Sequence, residues 1–296
     1  TLATAWFGSE YIGFLRDEVV YMHRNFYGTL RVKEQGQGDQ QVRRLLHGVI
    51  LHGEQQTINA NRLEPGTYYA RTSGVGRAIE AKQSEGPVRL GFVGLGVGTL
   101  SAYGRAGDVV RFYELDPDVL ALAKSQFSYL NSSPAAIEFV IGDARLSMER
   151  ELLSSARQRY DVLAIDAFSS DSIPVHLITS EATALFFQHL KPDGILAFHI
   201  SNRFLDLKPV LANIAEVNGL AARLVSDAPD DSSASTTDWV LLARSPAAFD
   251  HKRLAEVVEA IEPNPHFSLW TDQFNNLIDV LKSNPINELR RLIGLS

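Results

Sequence analysis

The chain has 296 residues, 45% of them apolar, which is enough for one large α/β body with a smaller appended unit. Its 35 acidic against 28 basic side chains give a formal charge of -7, which opposes tracking along a nucleic-acid backbone and suits a cationic ligand. With no cysteine there is no disulfide, no thiolate metal site and no Cys nucleophile.

The first residues, TLATAWFGSEYIGFL, lack an initiator Met and a basic signal-peptide start, and no apolar run approaches the roughly 20 residues of a membrane helix. Position 1 is therefore expected to be a cut, with something before it in the natural polypeptide. Through residue 72 the segments DEVVYMHR, GTLRVKEQG and VRRLLHGVILHG alternate apolar and polar residues between Gly, Asn and Asp punctuation, which predicts a small antiparallel β-domain of hairpins. From residue 73 to 296 the pattern becomes strand, helix, strand. VRLGFVGL, VVRFYEL, IEFVIGD, YDVLAID, GILAFHI, AARLVSD and DWVLLAR read as seven strands of a doubly wound, largely parallel sheet. PDVLALAKSQFSYL, SEATALFFQHLKPDG and LKPVLANIAEVNG read as helices, the last two closing at glycine. DAPDDSSASTTD is polar enough for a mobile loop, and the tail after Pro246, with HKRLAEVVEAIE and TDQFNNLIDVLKSN, is expected to be helical.

The chemistry concentrates at the strand ends. Gly94, Gly96 and Gly98 lie where the first strand of the large sheet turns into a helix-like segment, so backbone can approach a ligand with no Cβ between. The next strand ends in YELDP and puts Glu114 about twenty residues after the first glycine, where a carboxylate accepts hydrogen bonds from two ribose hydroxyls. To that point NAD and an S-adenosyl ligand are equally well served. The third and fourth strands end in Asp143 and Asp166, with Asp171 close behind; a carboxylate at Asp143 can accept an adenine amine hydrogen, and Asp166 lies beside the expected switch point. A pyrophosphate would want positive charge or bare helix N-terminal amides, whereas this acidic rim suits a sulfonium nucleoside. Any one of these acids alone is more simply a helix N-cap; four at successive strand ends favour a site.

With these residues in hand, the chain resembles the spermidine synthase family of polyamine aminopropyltransferases, in particular the bacterial branch that carries this domain behind membrane-spanning segments. The resemblance runs through RNFYGTLRV, LLHGVILHGEQ, TYYARTSGVG, GLGVGTL, YELDP, GDAR, IDAFSSDSIPVHLIT, HISNRFLDL and WTDQFNNLIDVLK, and their order is more specific than any one of them. It implies a seven-stranded, Rossmann-like sheet of the S-adenosylmethionine-methyltransferase type behind an N-terminal antiparallel β-domain. It also implies transfer of the aminopropyl group of decarboxylated S-adenosylmethionine, a co-substrate, to a diamine such as putrescine. No metal and no nucleic acid is implied; a homodimer is, and a cytoplasmic domain attached to the inner membrane. By the same matching Gly94, Gly96, Gly98, Glu114, Asp143 and Ala144 would hold the nucleoside and Asp166 would be the acid beside the reacting amine. Asp171 would lie on the closing loop, and Tyr27, Gln55, Tyr68 and Tyr69 would line the substrate cleft.

The bend departs from the family pattern at Val97, where an aspartate is usual, and DAFSSD is longer than the usual DSSD. Loss of that carboxylate removes a charge-assisted contact worth about 1.5 to 3 kcal/mol, so another acid compensates or the donor is S-adenosylmethionine itself or a related nucleoside. The alternatives are accordingly a small-molecule methyltransferase on the same fold and a non-catalytic sensor of polyamines or nucleosides; an NAD-dependent dehydrogenase fits least. His199 is expected to be a buried histidine bonded to backbone rather than a second base. His47 and His52 show no metal-ligand spacing, Glu181 complements a helix dipole, and Trp270 with Asp272 either caps the amine pocket or starts a helix.

Overall fold

The structure, a computed structural model, describes residues 18–48, 50–58, 60–167, 174–202, 204–228 and 235–282. Four antiparallel strands come first: β1 (Val19–Asn25), β2 (Gly28–Gln35), β3 (Val42–His47) and β4 (Ile50–Gln56), adjacent in chain order. Leu30, Val32 and Leu45 form the buried face of this sheet, and β1, its edge strand, is mostly exposed. The predicted hairpin unit is thus present.

Five parallel strands build one side of the second sheet, out to its edge at β7: β5 (Arg89–Val93), β6 (Val109–Glu114), β7 (Ala136–Ile141), β8 (Tyr160–Ile165) and β9 (Leu190–His199). β10 (Ala221–Asp227), β11 (Thr237–Ala243) and the two-residue β12 (Glu259–Ala260) add antiparallel pairings, giving the order β12-β10-β11-β9-β8-β5-β6-β7. All seven predicted strands are found. All six residues of β8 are buried, as expected of a strand covered by helices on both faces. The chain runs outward from β5 through β6 and β7, then returns to place β8 on the other side of β5, so the strand order reverses between β5 and β8.

The helices are α1 (Gly74–Gln83), α2 (Pro117–Gln126), α3 (Tyr129–Ser132), α4 (Ala144–Leu153), α5 (Ser180–Gln188), α6 (Lys208–Val217) and the single turn α7 (Lys252–Ala255). Asp116, Asp143 and Thr179 cap α2, α4 and α5 by accepting from the amides of Asp118, Leu146 and Ala182. One core packs small-sheet residues Leu30 and Leu45 with α1 and one face of the large sheet; the other lies between the opposite face and α5 and α6.

Four expectations change. The glycine bend leads into a 3-10 turn, Thr99–Tyr103, whose end is set by Gly104. PDVLALAKSQFSYL breaks at Phe127, which turns to an extended conformation and buries its ring. α5 stops at His189 and not at a glycine, because the chain enters β9 at Leu190 and Gly194 is a strand residue packed over the Tyr160 carbonyl; α6 does close at Gly219, with φ +64°. The tail is not helical across its described residues: α7 is one turn, and Glu259 and Ala260 pair with β10 instead, ahead of Pro263 and Pro265. The polar loop before β11 falls mostly outside the described residues. Among the described residues no helix is long and apolar enough to cross a membrane.

Candidate active site

The reversal between β5 and β8 brings two backbones into contact. The Asp166 amide donates to Val93 O at 2.9 Å, and a Cβ on Gly94 (φ +99°) would sit 2.4 Å from the Asp166 carbonyl oxygen. On the other side, a Cβ on Gly96 (φ +54°) would sit 2.4 Å from the His52 carbonyl oxygen on β4. Only glycine fits either place. The cleft above this floor, with a volume of about 460 Å³, is roofed by β3, β4 and the β1–β2 turn.

Of the predicted site residues, Gly94, Gly96, Glu114, Asp143, Ala144 and Asp166 line this cleft together with Tyr27, Tyr68 and Tyr69. Glu114 accepts from the amides of Leu95 (3.0 Å) and Asp116 (2.9 Å), one on each oxygen, which aims its carboxylate at the bend. Burial, only partly offset by those amides, pushes its carboxyl up to about 7. Asp143 both caps α4 and lines the cleft. Its second oxygen accepts from His176 Nε2 at 2.8 Å. Asp166 is almost enclosed: Tyr69 donates its phenol proton to Oδ2, and His199 Nδ1 donates to Oδ1 at 2.6 Å. Burial, with the Asp166 carboxylate beside it, holds the Tyr69 phenol well above its usual range, so Tyr69 stays a donor.

Gln55 and Gly98 do not line the cleft. Gln55 is a buried strut, donating to Arg62 O (2.9 Å) and Ser128 Oγ (2.8 Å) while accepting from the Ser128 amide (2.9 Å). Gly98 (φ +85°) turns beneath the Leu130 side chain. Asp171 lies outside the described residues. Val97 is buried, and its Cγ2 would lie 2.8 Å from a Cβ on Gly53, so it faces β4 and not the ligand space. Trp270 and Asp272 neither face the cleft nor begin a helix: Trp270 is buried in the second core, and Asp272 takes both guanidinium nitrogens of Arg145 and the Thr179 hydroxyl.

Four imidazoles also line the cleft: His47, His52 and His176, which the sequence did not mark as cleft residues, and His199. His199 is buried and bonds the side chains of Asp166 and Ser201, and its ring lies flat on Trp239 at 4.7 Å. His52 is pushed down to about 4, first by burial and then by His47, whose ring is 5.3 Å away, so it is a neutral hydrogen-bonding ring at neutral pH. Among the described residues the lining contains no Lys or Arg. The cleft is therefore a carboxylate-rich, half-apolar hollow at a switch point, a shape and charge that accommodate a cationic nucleoside.

The architecture has clear relatives among solved structures. A probable spermidine synthase from Corynebacterium glutamicum superposes with a TM-score of 0.60 over 82% of this chain and 90% of its own, at 16% identity. Spermidine synthase from Thermotoga maritima gives a TM-score of 0.54 over 94% and 88%, also at 16% identity. The fold is that of the spermidine synthases. In sequence the chain is 25% identical over 247 residues to a probable polyamine aminopropyl transferase of Bifidobacterium longum, covering 79% of this chain and 49% of that protein. It is 32% identical over 124 residues to a polyamine aminopropyltransferase of Vibrio vulnificus, covering 40% and 38%. The chain thus spans half or less of the length of these curated relatives. No protein-family profile matches it. The resemblance read from the motifs is matched by these relatives, and the spermidine-synthase fold puts GLGVGTL, YELDP, GDA and IDA around one cleft.

Proposed function

We propose that this chain moves the aminopropyl group of decarboxylated S-adenosylmethionine to a diamine such as putrescine and releases methylthioadenosine. The observation that carries this is the convergence of Glu114, Asp143 and Asp166, from the ends of β6, β7 and the β8 side of the switch point, on one glycine-floored cleft. The names of the curated relatives and the solved structure of a spermidine synthase with the transition-state analogue AdoDATO support the same reading. Glu114 then accepts from the ribose hydroxyls, Asp143 from the adenine amine, and Gly94, Gly96 and Ala144 let the nucleoside lie against backbone. Tyr27, Tyr68 and Tyr69 border the acceptor.

The donor supplies an electrophilic carbon beside a positive sulfur. A carbon–nitrogen bond forms, the carbon–sulfur bond breaks, and its electron pair neutralises the sulfonium. An ammonium near pKa 10.4 has no free pair, and releasing its proton at pH 7 costs about 4 to 5 kcal/mol. Asp166 attracts that ammonium and fixes it in line with carbon and sulfur. Such alignment removes on the order of 7 to 11 kcal/mol of barrier, against about 10² to 10⁴-fold from general-base help, so orientation is the larger contribution.

Val97 favours a second reading. Turned under Gly53, it leaves the glycine bend without a carboxylate for the aminopropyl ammonium, which would suit a methyltransferase using S-adenosylmethionine. The test is incubation with either donor and a panel of diamines, with products identified by mass. Spermidine and methylthioadenosine support aminopropyl transfer; methylated amine, or stabilisation by S-adenosylmethionine and none by its decarboxylated form, supports the rival. The resemblance also carries a homodimer and an attachment to the inner membrane with the domain on the cytoplasmic side; sedimentation of the domain and fractionation of the natural full-length protein test these.

A further inference from the structure

We propose that His199, working through the Ser201 hydroxyl, takes the proton that the attacking ammonium gives up, while Asp166 stays ionised and holds the resulting imidazolium. The inference rests on the transfer reaction proposed above and reassigns one step within it.

The geometry fixes where protons sit. Asp166 Oδ1 is 2.6 Å from His199 Nδ1, and an ionised carboxylate offers only lone pairs, so the neutral imidazole carries its hydrogen on Nδ1. Nε2 is then an acceptor, and the Ser201 hydroxyl lies 2.8 Å from it and Thr237 Oγ1 3.2 Å from it. Ser201 Oγ also accepts from the Asp238 amide at 2.8 Å and lies 3.1 Å from Thr237 Oγ1. Two rotatable hydroxyls therefore serve either protonation state. Facing a bare Nε2, Ser201 donates to it; facing an imidazolium, Ser201 accepts and turns its own proton to Thr237.

The surroundings also receive a positive ring. Trp239 stacks on the imidazole at 4.7 Å and 14°, presenting a π face, and Tyr68 lies 5.2 Å away. The titratable groups facing the dyad are Asp166 from the end of β8, Tyr68 and Tyr69 from the segment before α1, and His52 from β4. Asp166 meanwhile has both oxygens engaged, by Tyr69 and by His199, and is poorly placed to accept a third proton itself. In the step proposed, an amine proton passes to Ser201 Oγ as the Ser201 proton passes to Nε2, and the freed amine pair attacks carbon. His199, Ser201 and Asp166 all border the same cleft.

The test uses decarboxylated S-adenosylmethionine and putrescine over pH 6 to 10 with wild type, His199→Asn and Ser201→Ala. Both variants are expected to lose about 10² to 10⁴-fold in kcat with little change in donor KM. Their rates should also climb about tenfold per pH unit toward the amine's own pKa, where the wild type levels off. Variants with the wild-type pH profile and kcat within about threefold would overturn the proposal. If wild type releases no methylthioadenosine with any diamine, the function itself falls. Nitrogen-15 spectra of the His199 ring give an independent arm: the Nδ1–H tautomer is expected at pH 8, and an Nε2–H tautomer overturns the relay even in an active enzyme.

Discussion

Asp166 has no spare oxygen for a passive role, and replacing it tests both of its neighbours at once. In Asp166→Asn the single carbonyl oxygen serves either the Tyr69 phenol or the His199 Nδ1–H, and the amide must face the other. Turnover is expected to drop by about 10² to 10⁴-fold. Methylthioadenosine, whose proposed contacts are Glu114 and Asp143, is expected to bind within about threefold of wild type by calorimetry. Unchanged turnover would remove Asp166 from the chemistry. Glu114 makes a pH prediction of its own. Its carboxyl titrates at about 7 in the fold against 4.5 as an ordinary glutamate, so the folded state holds the proton more tightly. Its ionisation therefore costs stability as pH rises from about 4.5 to about 7, and nothing further above that. The ionised form is also the ribose acceptor. Affinity for methylthioadenosine should thus rise with pH through about 7 and level off, and Glu114→Gln should flatten the curve at its low-pH value. A wild-type affinity independent of pH between 5.5 and 8.5 would remove Glu114 from the ribose.

Strand β4 meets the glycine bend where Gly53, at φ +131°, faces the Val97 side chain, and this contact seats the small sheet on the large one. Gly53→Ala puts a methyl 2.8 Å from Val97 Cγ2 on a backbone that disfavours it, and is expected to cost about 1 to 3 kcal/mol in chemical denaturation. Adding Val97→Ala should return only the steric share, and full additivity of the two changes would refute the contact. The reverse repair, Val97→Asp, buries a carboxylate at a position 1% exposed and should lower Tm rather than create an amine site. Elements of this kind were unevenly legible. VLAI of β8 and ILAF of β9 are legible because a parallel strand covered on both faces reads as an unbroken apolar run, here just ahead of Asp166 and His199. HKRLAEVVEAIE has a helical period, yet Glu259 and Ala260 left it to cover the edge of β10, a tertiary choice that no local window contains. The acids of the cleft were readable because each closes a strand. The imidazoles were not, since His47 and His52 from one hairpin meet His176 and His199 from two distant segments only through topology. His199 alone carried a signal, its place at the end of β9, which the acids at the other strand ends share.

At the scale of the whole molecule, a cleft between a sheet and a domain works only if the two are held in register, and Asn25 does much of the holding. Its carbonyl oxygen accepts the amides of Tyr27 and Gly28, shaping the turn that brings Tyr27 to the cleft. Its amide nitrogen lies 2.8 Å from both oxygens of Asp116 and 2.7 Å from Asp118, so the turn is tied to the acid that caps α2. Further ties run from Arg43 to the Gln126 carbonyl and from Gln55 to Ser128. Asn25→Ala removes both halves of the link and is expected to cost about 1 to 3 kcal/mol, since Asp116 is buried and loses a donor. Asn25→Asp keeps the shape but sets a third carboxylate against two others, so its Tm at pH 7 should fall below that of the alanine variant. Protonation near pH 4 removes the repulsion, because crowded carboxylates hold protons more tightly in the fold than when unfolded. The gap between the aspartate and alanine variants should therefore close as pH falls from 7 to 4. Because Asn25 anchors the turn that carries Tyr27 over the cleft, saturating methylthioadenosine, which adds about 2.7 kcal/mol to a fold at a hundred times its Kd, should raise the Tm of either variant less than it raises that of wild type. Equal ligand-induced shifts in all three proteins would mean that the small sheet merely borders the cleft and plays no part in forming it.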